Sequence, residues 1–379
     1  MTLLSSPRRF ARGLRSAALA CAALSLSCAP GTDFFISVQG IPGGAFLGAW
    51  VSPDGSQAFL AGGLVGVDPA TSPDPMAMGR LVRYRQGRFE TLCRTPSVLW
   101  WVFGVDGVVF ASGEDGMVLR YDEARGCVRL PLGGSWPRGL PTLWGVWGPS
   151  ANDLTFVGGS ALPDGPRGVL LRYDGAAFTQ AVLPSAMQDV NLYKLAPSAS
   201  GLFVVGARGT IARRPLAGGE FAIEPVPRLG GDDLLFTVAC PQTGSEDCIA
   251  VGGVGIGRVL RRGAAGAWTL DPISEENAGL NGVWIGTDRR AFIVGNQGTT
   301  LFTDSTGAQP TLRPPMPAVR DPLHAVAGGG GLVIAVGGEL FDSRPSQRGT
   351  ILLRGPQRGG FVFDGMPVAS TGALREALP

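Results

Sequence analysis

The chain has 379 residues and a formal net charge of +2, and its 59 glycines and 30 prolines exclude a helical bundle. Charged residues are only 16% of the sequence while apolar residues reach 45%, which excludes intrinsic disorder. Arg8, Arg9, Arg12 and Arg15 all precede residue 28, leaving 28 of the 32 basic residues against all 30 acidic ones. That balance excludes a nucleic-acid partner.

Residues 1–15 are polar and basic, Ala17 to Leu26 form an apolar run, and Ser27-Cys28-Ala29 follow. A basic segment, a short apolar segment and small residues have the layout of a secretory signal peptide. The apolar run is half the ~20 residues a membrane-spanning helix needs. Its end resembles a bacterial lipoprotein signal, in which a cysteine after small residues is lipidated and becomes the mature N-terminus. The resemblance implies lipidation at Cys28, with Cys21 as the alternative acceptor, and a membrane contact through that anchor. Ordinary cleavage nearby is the other outcome. The chain is accordingly expected to be exported, as an outer-membrane or cell-surface lipoprotein, or else periplasmic or secreted.

Residues 29–46 read as a linker. Within it Phe34 to Val38 is a short strand candidate, expected to pair near Phe361-Val362-Phe363 and fasten the fold. A repeated unit follows. An apolar block of the form Leu-x-x-apolar begins at Leu47, Leu99, Leu143, Leu192, Leu235, Leu280 and Leu323. A second apolar run then stops at glycine or another small residue, as in Phe110-Ala-Ser-Gly113 and Ile293-Val-Gly-Asn296. Third runs include Leu81-Val-Arg-Tyr84 and Leu170-Leu-Arg-Tyr173. A fourth, weaker run carries Phe89, Val128, Phe178, Phe221, Trp268, Leu312 and Phe361. Four short runs rich in Val, Leu and Phe, separated by Gly, Asp and Pro, read as four hairpin-joined strands. Repeated about every 45 residues, they predict an all-β, seven-bladed β-propeller with four antiparallel strands per blade. The propeller is expected over 47–365, with a tail over 366–379.

The segment Leu143-Trp-Gly-Val-Trp-Gly-Pro-Ser-Ala-Asn-Asp-Leu-Thr-Phe-Val-Gly-Gly159, with Leu171-Arg-Tyr-Asp-Gly175, resembles the repeat of secreted bacterial propellers. These group near the BNR (Asp-box, sialidase-like) and photosystem-assembly-factor-like propellers. Ser112-Gly-Glu-Asp-Gly116 carries its acid one place later than an Asp-box would, so the resemblance implies the fold and no catalytic residue.

Residue inventory narrows the chemistry. His324 is the one histidine, which leaves no His-based metal site and reads as a packed polar residue. Arginine recurs at the third-run position as Arg83, Arg120, Arg172, Arg213, Arg261 and Arg354; a group repeated around a ring cannot converge on one ligand, so these read as structural. Gly252-Gly-Val-Gly-Ile-Gly-Arg258 has no helix after it and reads as a turn rather than a phosphate cradle. Four cysteines remain beyond the signal, and an even number in an exported chain predicts two disulfides, Cys240–Cys248 and Cys93–Cys127. Trp100, Trp101, Trp144 and Trp147 read as packing between blades, with a glycan-stacking platform as the alternative.

The repeats differ most between their second and third runs, in copies 1, 3 and 7. Those insertions carry Asp68 and Asp74, Asp164 and Arg167, and Arg344 and Arg348, and insertions on one face of a repeat array often form a binding surface. The sequence therefore points to a non-catalytic, lipid-anchored scaffold for a protein or glycan, with no cofactor. A sialidase-like or lyase-type glycan-cleaving enzyme and an envelope assembly factor are the alternatives.

Overall fold

In the computed structural model, residues 36–371 are described apart from 230–232, 242–245, 264, 272–277, 304–311, 314–318, 341–346, 356–359 and 369. Cys21, Cys28 and Arg344 lie outside the described residues. Apolar runs too short for a helix, cut by glycine and aspartate, become strands wherever two residues can reverse the chain. Between Leu99–Val105 and Val108–Gly113, for example, Asp106 and Gly107 take φ of 52° and 74°. Seven sheets result, each built from four antiparallel strands laid down in chain order, except at the ring seam. The fold is a seven-bladed β-propeller, as the repeat predicts.

Within a blade the strands differ in burial. The second strands, such as Ala58–Gly63 and Leu332–Gly338, are buried along their whole length, because a neighbouring blade covers each face. Outer strands such as Gly126–Arg129 are mostly exposed. Core clusters consequently sit between blades. Phe59 and Leu81 of blade 1 meet Leu99, Val102 and Leu119 of blade 2, for instance, and each fully buried large side chain contributes about 1.5–3 kcal/mol.

The seam between blades 7 and 1 departs from expectation. Ile36–Pro42 pairs antiparallel with Arg348–Arg354, Ile36 opposite Leu353 and Pro42 opposite Arg348, and so supplies the outer strand of blade 7. Its partner is the third strand of that blade, not Phe361-Val362-Phe363. Those residues instead extend blade 1, where Val362 and Phe363 pair parallel with Arg88 and Phe89. The aromatic character of that edge explains the choice. Phe361 and Phe363 lie 6.2 and 6.0 Å from the Phe89 ring, and Phe361 lies 6.5 Å from Tyr84. Ser370–Thr371 then returns to pair outside Ile36–Pro42. The C-terminal segment thus straddles the seam.

Buried polar groups fasten this junction. Arg80, 5% exposed, donates to the carbonyls of Pro42 and Gly44, the latter at 3.0 Å, and lies over the rings of Phe46 and Phe363. One side chain therefore touches the N-terminal strand's exit, the inner strand of blade 1 and the C-terminal segment. Gln347, 2% exposed, exchanges two hydrogen bonds with the backbone of Val65 at 3.1 and 2.7 Å. At the exposed edge of the same junction, Asp364 accepts from the Thr91 amide at 2.7 Å and hydroxyl at 2.8 Å.

Candidate functional site at the propeller axis

The inner strand of every blade carries the same irregularity. Opposite consecutive second-strand residues, the pairing jumps from Phe46 to Gly48, Leu99 to Trp101, Leu143 to Gly145, Leu192 to Lys194, Leu235 to Thr237, Leu280 to Gly282 and Leu323 to Ala325. The skipped residue is a β-bulge, which breaks the two-residue alternation and re-aims one side chain. In blade 1 the repeat-equivalent leucine position is thus Phe46, one place before the Leu47 that the sequence pattern selects.

The seven bulged residues are Leu47, Trp100, Trp144, Tyr193, Phe236, Asn281 and His324, and all seven line one axial cavity of about 340 Å³. Its wall is divided. Five consecutive blades contribute apolar or aromatic side chains, with ring centres 5.2 Å apart for Trp144–Tyr193 and 5.5 Å for Tyr193–Phe236. Blades 6 and 7 contribute Asn281 and His324. Asn281 Nδ2 donates to Asn296 Oδ1 at 3.0 Å and to the Leu323 carbonyl at 2.9 Å. His324 Nε2 lies 2.8 Å from the Gly338 carbonyl; a carbonyl only accepts, so Nε2 carries the proton and Nδ1 is left as an acceptor. Burial lowers the His324 pKa below its ordinary value, against the opposing pull of that carbonyl and of Glu339. The imidazole is neutral at neutral pH. At the rim of the wall, Trp100 Nε1 donates to Glu114 at 3.2 Å, and burial raises the Glu114 carboxyl.

The residue after the bulge faces an adjacent inner strand. A Cβ on Gly145 would come within 2.6 Å of the Tyr193 carbonyl, and one on Gly48 within 2.8 Å of the Trp101 Cα. Glycine is what lets the inner strands approach so closely there. Blade 4 places Lys194 at this position. Its Nζ donates to the Trp144 carbonyl of blade 3 and sits 4.0 Å from the centre of the Trp101 ring of blade 2. The half-buried side chain thus crosses from blade 4 to blade 2 along the cavity wall. Loss of bulk solvent pushes its pKa from 10.5 down to about 7. No ion pair involves it among the described residues.

Sequence reasoning missed this group, although a signal existed. Lys194 is the sole lysine of a chain whose other 31 Lys-or-Arg positions are all arginine. The sole lysine and the sole histidine line the same cavity.

The inserted segments open beside it. Ala161 and Leu340, from two of the three insertions, line the mouth, as does Val254. Large apolar side chains stand exposed on connections at this end: Met76 (65%), Leu162 (70%), Val182 (91%), Val254 (62%) and Ile256 (51%). The charged residues singled out there have local partners instead. Asp68 and Asp74 cap the 3₁₀ turns Pro69–Thr71 and Pro75–Ala77, accepting from the Ala70 and Met76 amides at 2.9 and 3.0 Å. Arg348 donates to the Gly40 carbonyl at 2.9 Å, which makes it part of the seam. Arg167 makes a long 3.4 Å contact with the Leu162 carbonyl, and Asp164 is exposed in the same loop.

Elsewhere the third-strand arginines pair along the outer rim. Arg83 meets Glu90 and Glu123, Arg120 meets Asp122, Arg213 meets Glu224 and Arg261 meets Asp271. Of the inner-strand tryptophans Trp100, Trp101, Trp144 and Trp147, Trp101 and Trp147 pack between blades, whereas Trp100 and Trp144 face the cavity. Gly252–Arg258 joins Ile249–Gly252 to Arg258–Arg262 as a turn. Cys93 is bonded to Cys127 across the outer strands of blades 1 and 2, and Cys240 to Cys248, with Cα separations of 6.1 and 4.1 Å. Among the described residues no group of His, Cys, Asp and Glu could hold a metal ion, and no helix is long and apolar enough to cross a membrane.

No protein-family profile and no curated protein matches the sequence. Solved structures do match the fold. YCF48 bound to D1 peptide superposes with a TM-score of 0.59 at 14% identity, covering 85% of this chain and 97% of that one. A catalytically inactive virginiamycin B lyase from Staphylococcus aureus with quinupristin gives 0.61 at 11% identity, covering 84% and 99%. The extracellular domain of a putative one-component system from B. thetaiotaomicron gives 0.56 at 10% identity, covering 84% of this chain and 39% of that one. At these identities the likeness is one of fold.

Proposed function

We propose that the chain is an exported, non-catalytic scaffold that captures a protein partner through the end of the propeller where the axial cavity opens. The observation that carries this reading is the symmetry breaking at the bulge positions. Repeat-equivalent sites that could all be alike form an aromatic arc on one side and a polar pair on the other, with exposed apolar side chains on the connections at the same end of the propeller, of which Val254 lines the cavity. Among the described residues the lining holds no carboxylate and no arginine, which favours capture over glycan cleavage by an acid pair. One solved structure of the same fold holds a peptide, and protein capture agrees with that. Two disulfides agree with an oxidising compartment, and lipidation at Cys28 would hold the scaffold at a membrane.

The test is crosslinking and pull-down from intact cells with Met76→Ser, Leu162→Ser, Val254→Ser and Ile256→Ser combined. These residues are exposed, so the thermal midpoint should stay within the scatter of surface substitutions, while partner recovery should fall at least about tenfold. Undiminished recovery by a folded variant would remove this face from consideration.

A further inference from the structure

The cavity lining carries a cation, Lys194, that no carboxylate pairs with among the described residues. An ammonium has three donors; Lys194 spends one on the Trp144 carbonyl and lays its charge over the Trp101 ring, and the cavity is what remains before it. The walls around it are aromatic, and among the described residues the only other titratable side chains lining the space are His324 and Tyr193. Burial raises the Tyr193 phenol and lowers His324, so both are neutral at neutral pH. The charged groups next outward are Glu114, bonded to Trp100, and Glu339 beside His324, with Arg167 near Tyr193. A half-buried cation with no carboxylate beside it among the described residues favours a ligand that brings one.

Resting on the capture reading above, we infer that the axial cavity receives the carboxyl-terminal end of a polypeptide whose last side chain is large and apolar, its carboxylate pairing with Lys194. The aromatic arc takes the side chain. The His324 Nδ1 acceptor offers a place for a ligand N–H. A chain end suits the site because its single carboxylate matches the single cation lining the cavity, Lys194, among the described residues, while the exposed apolar side chains of the neighbouring connections meet the rest of the partner. Charge complementarity also sets a pH response. The ligand carboxylate is ionised across the neutral range, so the pair weakens as Lys194 loses its proton and tightens as pH falls.

Calorimetry on the full chain tests this with the tripeptide Ala-Ala-Phe as free acid and as amide, and with phenylacetate. At about pH 6.5 the free acid should bind about tenfold more tightly than the amide, and at about pH 9 the gap should shrink below about threefold. Lys194→Met should erase the gap at both values. Lys194→Arg, whose guanidinium does not titrate here, should keep it at both. His324→Gln should weaken acid and amide alike, through the lost Nδ1 acceptor, while their ratio and its pH response persist, which separates Lys194 from its titrating neighbour. Equal binding of acid and amide by the wild-type chain at about pH 6.5 overturns the assignment without any variant having to fold. Phenylacetate binding as tightly as the tripeptide overturns the chain-end identity in favour of small acids. If none of the three probes binds while partner recovery still depends on the rim residues, this inference fails and the scaffold reading stands. If the acid–amide gap appears while recovery ignores the rim, the scaffold reading fails instead.

Discussion

Lys194 also gives the most quantitative stability prediction. Its ammonium titrates at about 7 in the folded chain against 10.5 when exposed. Between those values the unfolded chain holds the extra proton, so stability rises with pH across the window. The penalty is complete below about pH 7 and gone above about pH 10.5. At about 1.36 kcal/mol for each pH unit, its ceiling is about 5 kcal/mol. The hydrogen bond to the Trp144 carbonyl and the Trp101 ring face return about 1–3 kcal/mol of that, and water in the cavity returns more. Lys194→Met keeps the apolar stem and removes the charge. At about pH 6.5 the variant should therefore be more stable than the wild type by about 1–3 kcal/mol, and its advantage should vanish by about pH 10. Urea unfolding followed by tryptophan fluorescence across that range reads the difference directly. A wild-type–variant difference that stays constant with pH would refute the reasoning, because it would mean that Lys194 titrates as an exposed lysine does.

Arg80→Ala should destabilise the fold by about 3–5 kcal/mol, since it strands the Pro42 and Gly44 carbonyls and removes the cation from between Phe46 and Phe363; hydrogen exchange should show the loss first at Ile36–Pro42. Opening the Cys93–Cys127 bond with Cys127→Ser should cost about 4 kcal/mol by the loop-entropy estimate for its 34-residue span. Opening Cys240–Cys248, a span of 8 residues, should cost less, about 2.5 kcal/mol on the same estimate, and thermal unfolding of the two variants side by side checks the order.

The architecture was legible because inter-blade burial acts on both faces of a strand. Runs such as Phe110-Ala-Ser-Gly113 are apolar throughout for that reason, and their spacing shows the repeat. The seam was not legible. Val362–Phe363 is a two-residue strand with no alternation to set its partner, and its place depends on ring contacts with Phe89. The axial site was hidden for a different reason. Alternation along Leu192–Pro197 puts Tyr193 and Lys194 on opposite faces, and only the bulge brings both to the cavity. Adjacent apolar residues, Phe46 and Leu47, concealed the register in blade 1, although the glycine two places after the leucine position in blades 1, 3 and 6 marks it. The acidic residues of the insertions drew attention as ligands, but an Asp before a proline-initiated turn is more economically a cap.

The pairing of Ile36 with Leu353 has a consequence for how the protein is made. The first of the described strands to be synthesised waits for a partner more than three hundred positions behind it. Until that partner arrives, blade 7 does not exist, and Ile36, Val38 and Ile41 have no lining to enter. The ring is therefore completed late, from a chain already holding six sheets, and the newborn protein passes through an interval in which two raw flanks can recruit a neighbour's strand instead of their own.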